Sequence, residues 1–130
     1  MQLRCLIVDD NESFLEASRT LLNGQGLSVV GIATTAADGV RLATELRPDV
    51  VLVDIDLGRE SGFEVACRMV GEAVACTAGV ILISTHVEDD YADLVAESPA
   101  LGFVAKQDLS KQAIETVLRR RGASDATGPR

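Results

Sequence analysis

The chain has no tryptophan, one tyrosine and three phenylalanines, so aromatic rings cannot build its core. Valine, leucine, isoleucine and alanine must do so, which suits a parallel sheet covered by helices. Cations are scarce as well: 12 Lys and Arg stand against 20 Asp and Glu, a net charge of −8. That balance argues against a nucleic-acid-binding surface on this chain, because phosphate backbones need Lys and Arg. No apolar run approaches the roughly 18 residues of a membrane span, so no membrane role is expected. The start, MQLRCLIVDD, lacks the layout of a secretory leader. Cysteine is limited to Cys5, Cys67 and Cys76, an odd number without metal-ligand spacing. Such cysteines read as reduced, buried small residues in a cytoplasmic protein.

What is present is an alternation. At 130 residues the chain is expected to form one domain with a sizeable core. Short apolar runs bounded by Gly, Pro, Asp or Ser read as strands at 3–8, 27–33, 49–53, 79–84 and 100–105. Between them the period lengthens to that of a helix. Phe14, Leu15, Ser18, Leu21 and Leu22 share one face, with Gly24 placed to end the helix. Ala36, Val40, Ala43 and Leu46 do the same ahead of Pro48. A third helical pattern opens at Ser61, where Glu64 can complete a capping box, and runs to about residue 75. A fourth covers roughly 88–97, and a fifth starts near Ser110 and ends on Arg119, Arg120 and Arg121, cations that suit a helix C-terminus. The remainder, 122–130, is small and polar and reads as a flexible tail or linker stump beyond a domain of 1–121. The order βαβαβαβαβα with right-handed crossovers predicts a doubly wound α/β fold, a five-stranded parallel sheet with helices on both faces.

Ligands of such sheets gather at the carboxyl ends of the strands. Asp9 and Asp10 follow the first strand directly, Asp54 ends the third, with Asp56 two residues on, Ser84 ends the fourth, and Lys106 follows the fifth. The second strand offers only Thr34 and Thr35. Two adjacent carboxylates at the end of an apolar strand repel each other, and burial makes that worse. A divalent cation resolves the conflict: hard oxygen ligands with room for water and phosphate oxygens suit Mg²⁺. A carboxylate in such a site can attack a phosphoryl group and become an acyl phosphate. Lys106 can neutralise charge on the phosphoryl oxygens, and Ser84 can donate a hydrogen bond to one of them.

The segments VDDNESF, VLVDIDLGRESGFEV, ILIST and GFVAKQDL resemble the conserved regions of the response-regulator receiver domain of two-component signalling. The resemblance covers residues 3 to about 121, with Ser84 and Lys106 lying 30 and 52 residues beyond Asp54. It implies a flavodoxin-like (βα)5 fold with strand order 2-1-3-4-5. It implies that Asp54 is the phosphoacceptor and that Asp9, Asp10, Asp54 and the backbone carbonyl of Asp56 hold Mg²⁺, with Mn²⁺ able to substitute. Ser84 and Lys106 then bind the phosphoryl group, and Phe103 is the aromatic that turns inward as the hydroxyl moves. Asp56 and His86 lie where the family tunes acyl phosphate lifetime. The implied partners are a histidine kinase as donor, an output domain or downstream protein, and a second copy of the chain on phosphorylation. The chain would be a signalling domain rather than an enzyme, catalysing only its own phosphorylation and autodephosphorylation. The stretch DDNESFLEASRTLL most resembles receivers joined to helix-turn-helix DNA-binding domains, which implies transcription regulation.

Two departures from the family pattern stand out. Gly58 replaces a frequent proline, and Gln107 replaces the proline that usually follows the lysine through a cis peptide. A cis bond before a non-proline residue costs about 3 kcal/mol, which puts the Lys106–Gln107 geometry in doubt. These departures leave open a receiver-like module that signals by binding alone. VLVDIDLG also resembles the Asp-x-Asp motif of haloacid-dehalogenase-type phosphatases, with Asp54 as nucleophile and Asp56 as acid/base. That family, however, carries its motif after the first strand.

Overall fold

The computed structural model describes residues 3–57, 60–61, 79–85 and 100–127, with backbone alone for 60–61 and 120–127. The third and fourth helical patterns, Gly58, Cys67, Cys76 and His86 lie outside the described residues. The elements are β1 (Arg4–Val8), α1 (Glu12–Gly24), β2 (Ser28–Ala33), α2 (Ala36–Leu46), β3 (Val50–Asp54), β4 (Asp56–Leu57), β5 (Glu60–Ser61), β6 (Gly79–Ser84), β7 (Gly102–Ala105) and α3 (Lys111–Thr127). The last of these is the fifth helical pattern of the sequence.

Five strands form one parallel sheet in the order β2-β1-β3-β6-β7, the expected 2-1-3-4-5 arrangement. All of β3 and β6, and β1 beyond Arg4, are buried, as strands covered on both faces must be. Alternation along them divides the core. Leu6, Val8, Val51, Val53, Val80 and Leu82 face α2 through Ala36, Val40 and Ala43. Cys5, Ile7, Val50, Leu52, Ile81 and Ile83 face α1 and α3 through Leu15, Leu22, Ile114 and Val117. On α1 the buried residues are Leu15, Ser18 and Leu22, whereas Leu21, expected on the same face, is 44% exposed. It lies one position round from Leu22, past the edge of the buried stripe.

Three local features differ from expectation. The residue that turns the chain after α1 is Gly26, at φ +97°, rather than Gly24. Leu27 N donates to Leu22 O (3.1 Å) and Gly26 N to Asn23 O (3.2 Å), a Schellman closure that needs a left-handed residue at Gly26. A two-stranded antiparallel ladder, β4 with β5, follows β3 and pairs Asp56 with Ser61 and Leu57 with Glu60. Two-residue strands carry too little periodicity to be read from sequence. The final helix passes through Gly122 to Thr127, where a tail over 122–130 was expected. Ala123 and Ala126 are strong helix formers, and one glycine costs a helix only about 1 kcal/mol. Arg119, Arg120 and Arg121 consequently sit inside the helix, and its last turn has no basic residue.

Gly79 opens β6 at a close approach. A Cβ there would meet the side chain of Leu101 and come within 3.1 Å of Leu118 Cδ2. Gly24, in the last turn of α1, has nothing within 4 Å. Gly79→Val should therefore destabilise the domain by about 1–3 kcal/mol through overpacking. Gly24→Ala should stabilise it by about 0.5–1 kcal/mol through reduced chain entropy. Urea unfolding midpoints of the two variants, moving in opposite directions from wild type, are the check.

Candidate functional site

Sheet register brings the chemistry to one rim. Cα pairing of Val8 with Val53, Asp54 with Ile83 and Ser84 with Ala105 aligns the carboxyl ends of β1, β3, β6 and β7. Two backbone bonds extend this alignment beyond the strands: Asp9 N donates to Ala33 O and Ile55 N to Ile83 O, both at 2.9 Å. Asp9, Asp54, Ser84 and Lys106 therefore leave the sheet at the same level. They do so beside a cleft of about 370 Å³ lined by Asp10, Asn11, Asp54, Asp56, Ser84, Thr85 and Lys106.

The adjacent acids point to different surroundings. Asp9 is fully buried, while Asp10 is exposed. Asp9 Oδ1 accepts from Asn11 N at 2.9 Å. Its Oδ2 lies 2.5 Å from Lys106 Nζ but accepts no hydrogen bond of ordinary geometry. Asp54, also buried, accepts from Asp56 N at 3.2 Å through Oδ1, and its Oδ2 lies 3.4 Å from Lys106 Nζ. One carboxylate oxygen from each of Asp9, Asp10 and Asp54 lies within 4.8 Å of the others. Three carboxylates facing one ammonium leave negative charge uncompensated. The site thus fits a small hard cation such as Mg²⁺. Asp56 contributes its backbone to the rim, while its own side chain is exposed.

Burial is the main reason that the Asp54 carboxyl is raised to about 6. The neighbouring Asp9 adds to the rise, and the Asp56 N–H and Lys106 oppose it.

Of the other expected residues, Ser84 is buried at the end of β6 and lines the cleft. Phe103 is half-buried on β7, packs on the α2-side core and borders a separate groove of about 520 Å³ between β7 and α3. Lys106 begins a short 3₁₀ turn, Lys106–Asp108. Its bond to Gln107 is trans, no cis peptide occurring among the described residues, which settles the doubt raised by the missing proline. Thr34 is exposed, and Thr35 caps α2 by accepting from Asp38 N at 3.1 Å. Neither lines the cleft. The buried Cys5 thiol is pushed up to about 12 by desolvation, which makes it inert.

The sequence pattern does not mark Asn11, Thr85 and Phe14 as site residues. Asn11 is the N-cap of α1, accepting from Phe14 N at 3.1 Å, and an Asn ahead of a helical period was the available signal. Thr85 directly follows Ser84 and is exposed in the cleft. The Phe14 ring lies 4.5 Å beneath Lys106 Nζ, a contact that nothing local in the sequence announces.

The raised Asp54 carboxyl makes the stability of the metal-free protein pH-dependent. Between about pH 4 and 6 the folded state holds a proton that the unfolded state has lost, so this contribution to stability falls as pH rises. Asp54→Asn removes the dependence. Its stability gain over wild type in EDTA should grow from pH 4 to pH 6 and level off above pH 7, on the order of 2 kcal/mol. Urea titrations of both proteins across that range measure it.

Comparison with known proteins agrees with this geometry. Residues 5–119 match the family model of the response regulator receiver domain. The chain is 29% identical over 119 residues to the transcriptional regulatory protein LiaR of Bacillus subtilis, spanning 88% of this chain and 54% of LiaR. It is 33% identical over 129 residues to the DNA-binding response regulator MtrA of Mycobacterium tuberculosis, spanning 96% of this chain and 53% of MtrA. It spans about half the length of these curated relatives. Among solved structures, a two-component response regulator of the LuxR family from Aurantimonas superposes with a TM-score of 0.81 at 28% identity, covering 92% of this chain and 86% of that one. The receiver domain of NarL from Mycobacterium tuberculosis gives 0.77 at 25% identity, covering 90% and 97%. The family match sets aside the phosphatase reading of VLVDIDLG, and the chain belongs to the response-regulator receiver domains of two-component signalling.

Proposed function

We propose that Asp54 is the phosphoacceptor of this receiver and that its phosphorylation controls an output. One observation carries the reading. The Asp54 carboxylate sits at the carboxyl end of the central strand, with one oxygen on the Asp56 N–H, the other toward Lys106, and the cleft open beside it. An Asp54 oxygen attacks phosphorus, the bond from phosphorus to the donor breaks, and its electron pair leaves with the donor. For a histidine kinase that bond is P–N, and the leaving group is an imidazole nitrogen. Lys106, already between Asp9 and Asp54, takes up the charge on a phosphoryl oxygen without moving far. Ser84 lines the same cleft and can donate to a second phosphoryl oxygen.

Asp9, Asp10, Asp54 and the carbonyl of Asp56 would hold Mg²⁺, which supplies charge neutralisation at the phosphoryl oxygens. The Phe103 ring, beside the groove between β7 and α3, has space into which it can turn when Ser84 shifts. Asp56 is placed on the cleft wall, where it can orient or exclude an attacking water. The same role is proposed for His86. The relatives LiaR and MtrA are named as a transcriptional regulator and a DNA-binding response regulator, which supports transcription regulation through an attached output domain. The chain's own net charge of −8 makes direct nucleic-acid contact by this domain unfavourable. Homodimer formation on phosphorylation fits the same reading.

Incubation with Mg²⁺ and a small acyl phosphate should add one phosphoryl mass to wild type and none to Asp54→Asn. The adduct should be labile to hydroxylamine. No addition in either protein, with Mg²⁺ binding confirmed, would sink small-donor phosphorylation and leave strict dependence on a cognate kinase or a module that signals by binding alone. Asp10→Asn should weaken Mg²⁺ by at least about tenfold, the loss of one charged ligand. Calorimetric titration with MgCl₂ gives that number, and an unchanged affinity would remove Asp10 from the metal site.

A further inference from the structure

Four contacts close a ring around Lys106. Asn11 N donates to Asp9 Oδ1 at 2.9 Å, and Asn11 Oδ1 accepts from Phe14 N at 3.1 Å. The Phe14 ring lies 4.5 Å from Lys106 Nζ, and Lys106 Nζ returns to Asp9 Oδ2 at 2.5 Å. The first turn of α1 is therefore pinned to the same aspartate that the lysine faces. Pinning that turn fixes where the Phe14 ring stands. The ring is half-buried and packs on the α1-side core, so its position does not depend on the lysine alone. Lys106 is only 11% exposed, so the face of the ring replaces water on one side of the ammonium.

We propose that Phe14 is a positioning residue for the phosphoryl transfer, holding the Lys106 ammonium at the rim of the cleft. The inference rests on the reading of Asp54 as phosphoacceptor. A carboxylate partner holds the lysine in one place, because giving up Asp9 for a phosphoryl oxygen means breaking a buried ion pair. An aromatic face attracts the cation without a directed hydrogen bond. It therefore keeps attracting Nζ while the ammonium turns from Asp9 toward an oxygen on Asp54. Leucine at the same position fills much of the same space but has no negative ring face.

The test compares Phe14→Leu and Phe14→Tyr with wild type, in both the native and Lys106→Met backgrounds. It reads the rate of phosphoryl uptake from a small acyl phosphate at saturating Mg²⁺. Phe14→Leu should slow uptake about three- to tenfold, and Phe14→Tyr should keep roughly half or more of the rate. In Lys106→Met, replacing Phe14 by Leu should change the rate less than about twofold, because the partner of the ring is gone. Mg²⁺ affinity should stay within about twofold throughout, since the Phe14 ring offers no ligand atom to a hard cation. A second readout needs no phosphorylation. The Lys106 ε-methylene resonances, identified by their absence in Lys106→Met, should be shifted by the ring current in wild type and Phe14→Tyr and unshifted in Phe14→Leu. Equal uptake by Phe14→Leu and wild type would overturn the proposal. So would an equal deficit in Phe14→Tyr and Phe14→Leu, a full Phe14→Leu deficit in Lys106→Met, or unshifted wild-type resonances. If wild type takes up no phosphate while the resonances are ring-shifted, the failure belongs to the phosphoacceptor reading. The ring then holds the lysine but positions it for no transfer.

Discussion

The arrangement depends on one electrostatic conflict: two buried carboxylates, Asp9 and Asp54, share one lysine at the end of an otherwise apolar sheet. Left alone, such groups protonate or pull the strands apart. The rise of the Asp54 carboxyl to about 6 shows the first tendency. The second is resisted by strands β1, β3 and β6, whose Val, Leu and Ile side chains fill both faces of the sheet. The scaffold thus supplies the stability that lets an unfavourable charge cluster persist. The cluster in turn keeps the site receptive to a small hard cation, whose positive charge relieves the repulsion.

Parallel register explains why the conflict falls in one place. In a doubly wound sheet every parallel strand enters from the same side and exits at the same rim. A residue immediately after each strand is then brought near its counterparts whatever their separation in the chain. Lys106 and Asp54 are 52 positions apart, yet Lys106 Nζ lies 3.4 Å from Asp54 Oδ2, and the link is the run of pairings from β3 through β6 to β7. The bonds from Asp9 N and Ile55 N carry the ladder one step past the strands, so the acids stand on ordered backbone. A one-residue slip of β7 against β6 would turn Phe103 and Val104 to opposite faces and move Lys106 off the rim.

What could be read from the sequence follows the same logic. Strand ends are marked by abrupt changes from aliphatic to charged or hydroxyl residues, and Asp9, Asp54, Ser84 and Lys106 each sit at one. The five main strands and the rim residues are legible for that reason, while the strand order follows from the family resemblance. Features set by three-dimensional accident were not. Leu21 reads as buried because a helical stripe has no sharp edge in sequence. Gly26 rather than Gly24 takes the left-handed conformation because the Schellman bonds count back from Leu27, and β2 begins immediately after. The β4–β5 ladder is too short to show a period. Helix α3 extends past its expected end: Gly, Ser and Asp at 122–125 look like linker residues, while the intervening alanines allow the helix to continue.

Phe14 shows where the limit of sequence reading lies. By periodicity it belongs with Leu15, Ser18 and Leu22 as one more apolar residue on an amphipathic helix, and it does pack there. Its other contact, with Lys106, joins the first helix to the last strand across 92 positions and depends on where an N-cap places the opening turn. Asn11 makes that placement definite because it engages both ends of the turn: its backbone N–H holds Asp9, and its side chain holds the Phe14 N–H. A cap is ordinarily worth about 1 kcal/mol of helix stability. Here the same two hydrogen bonds also join that turn to the aspartate that Lys106 faces. A residue chosen locally, to begin a helix, thereby sets the environment of a charge supplied by the far end of the domain.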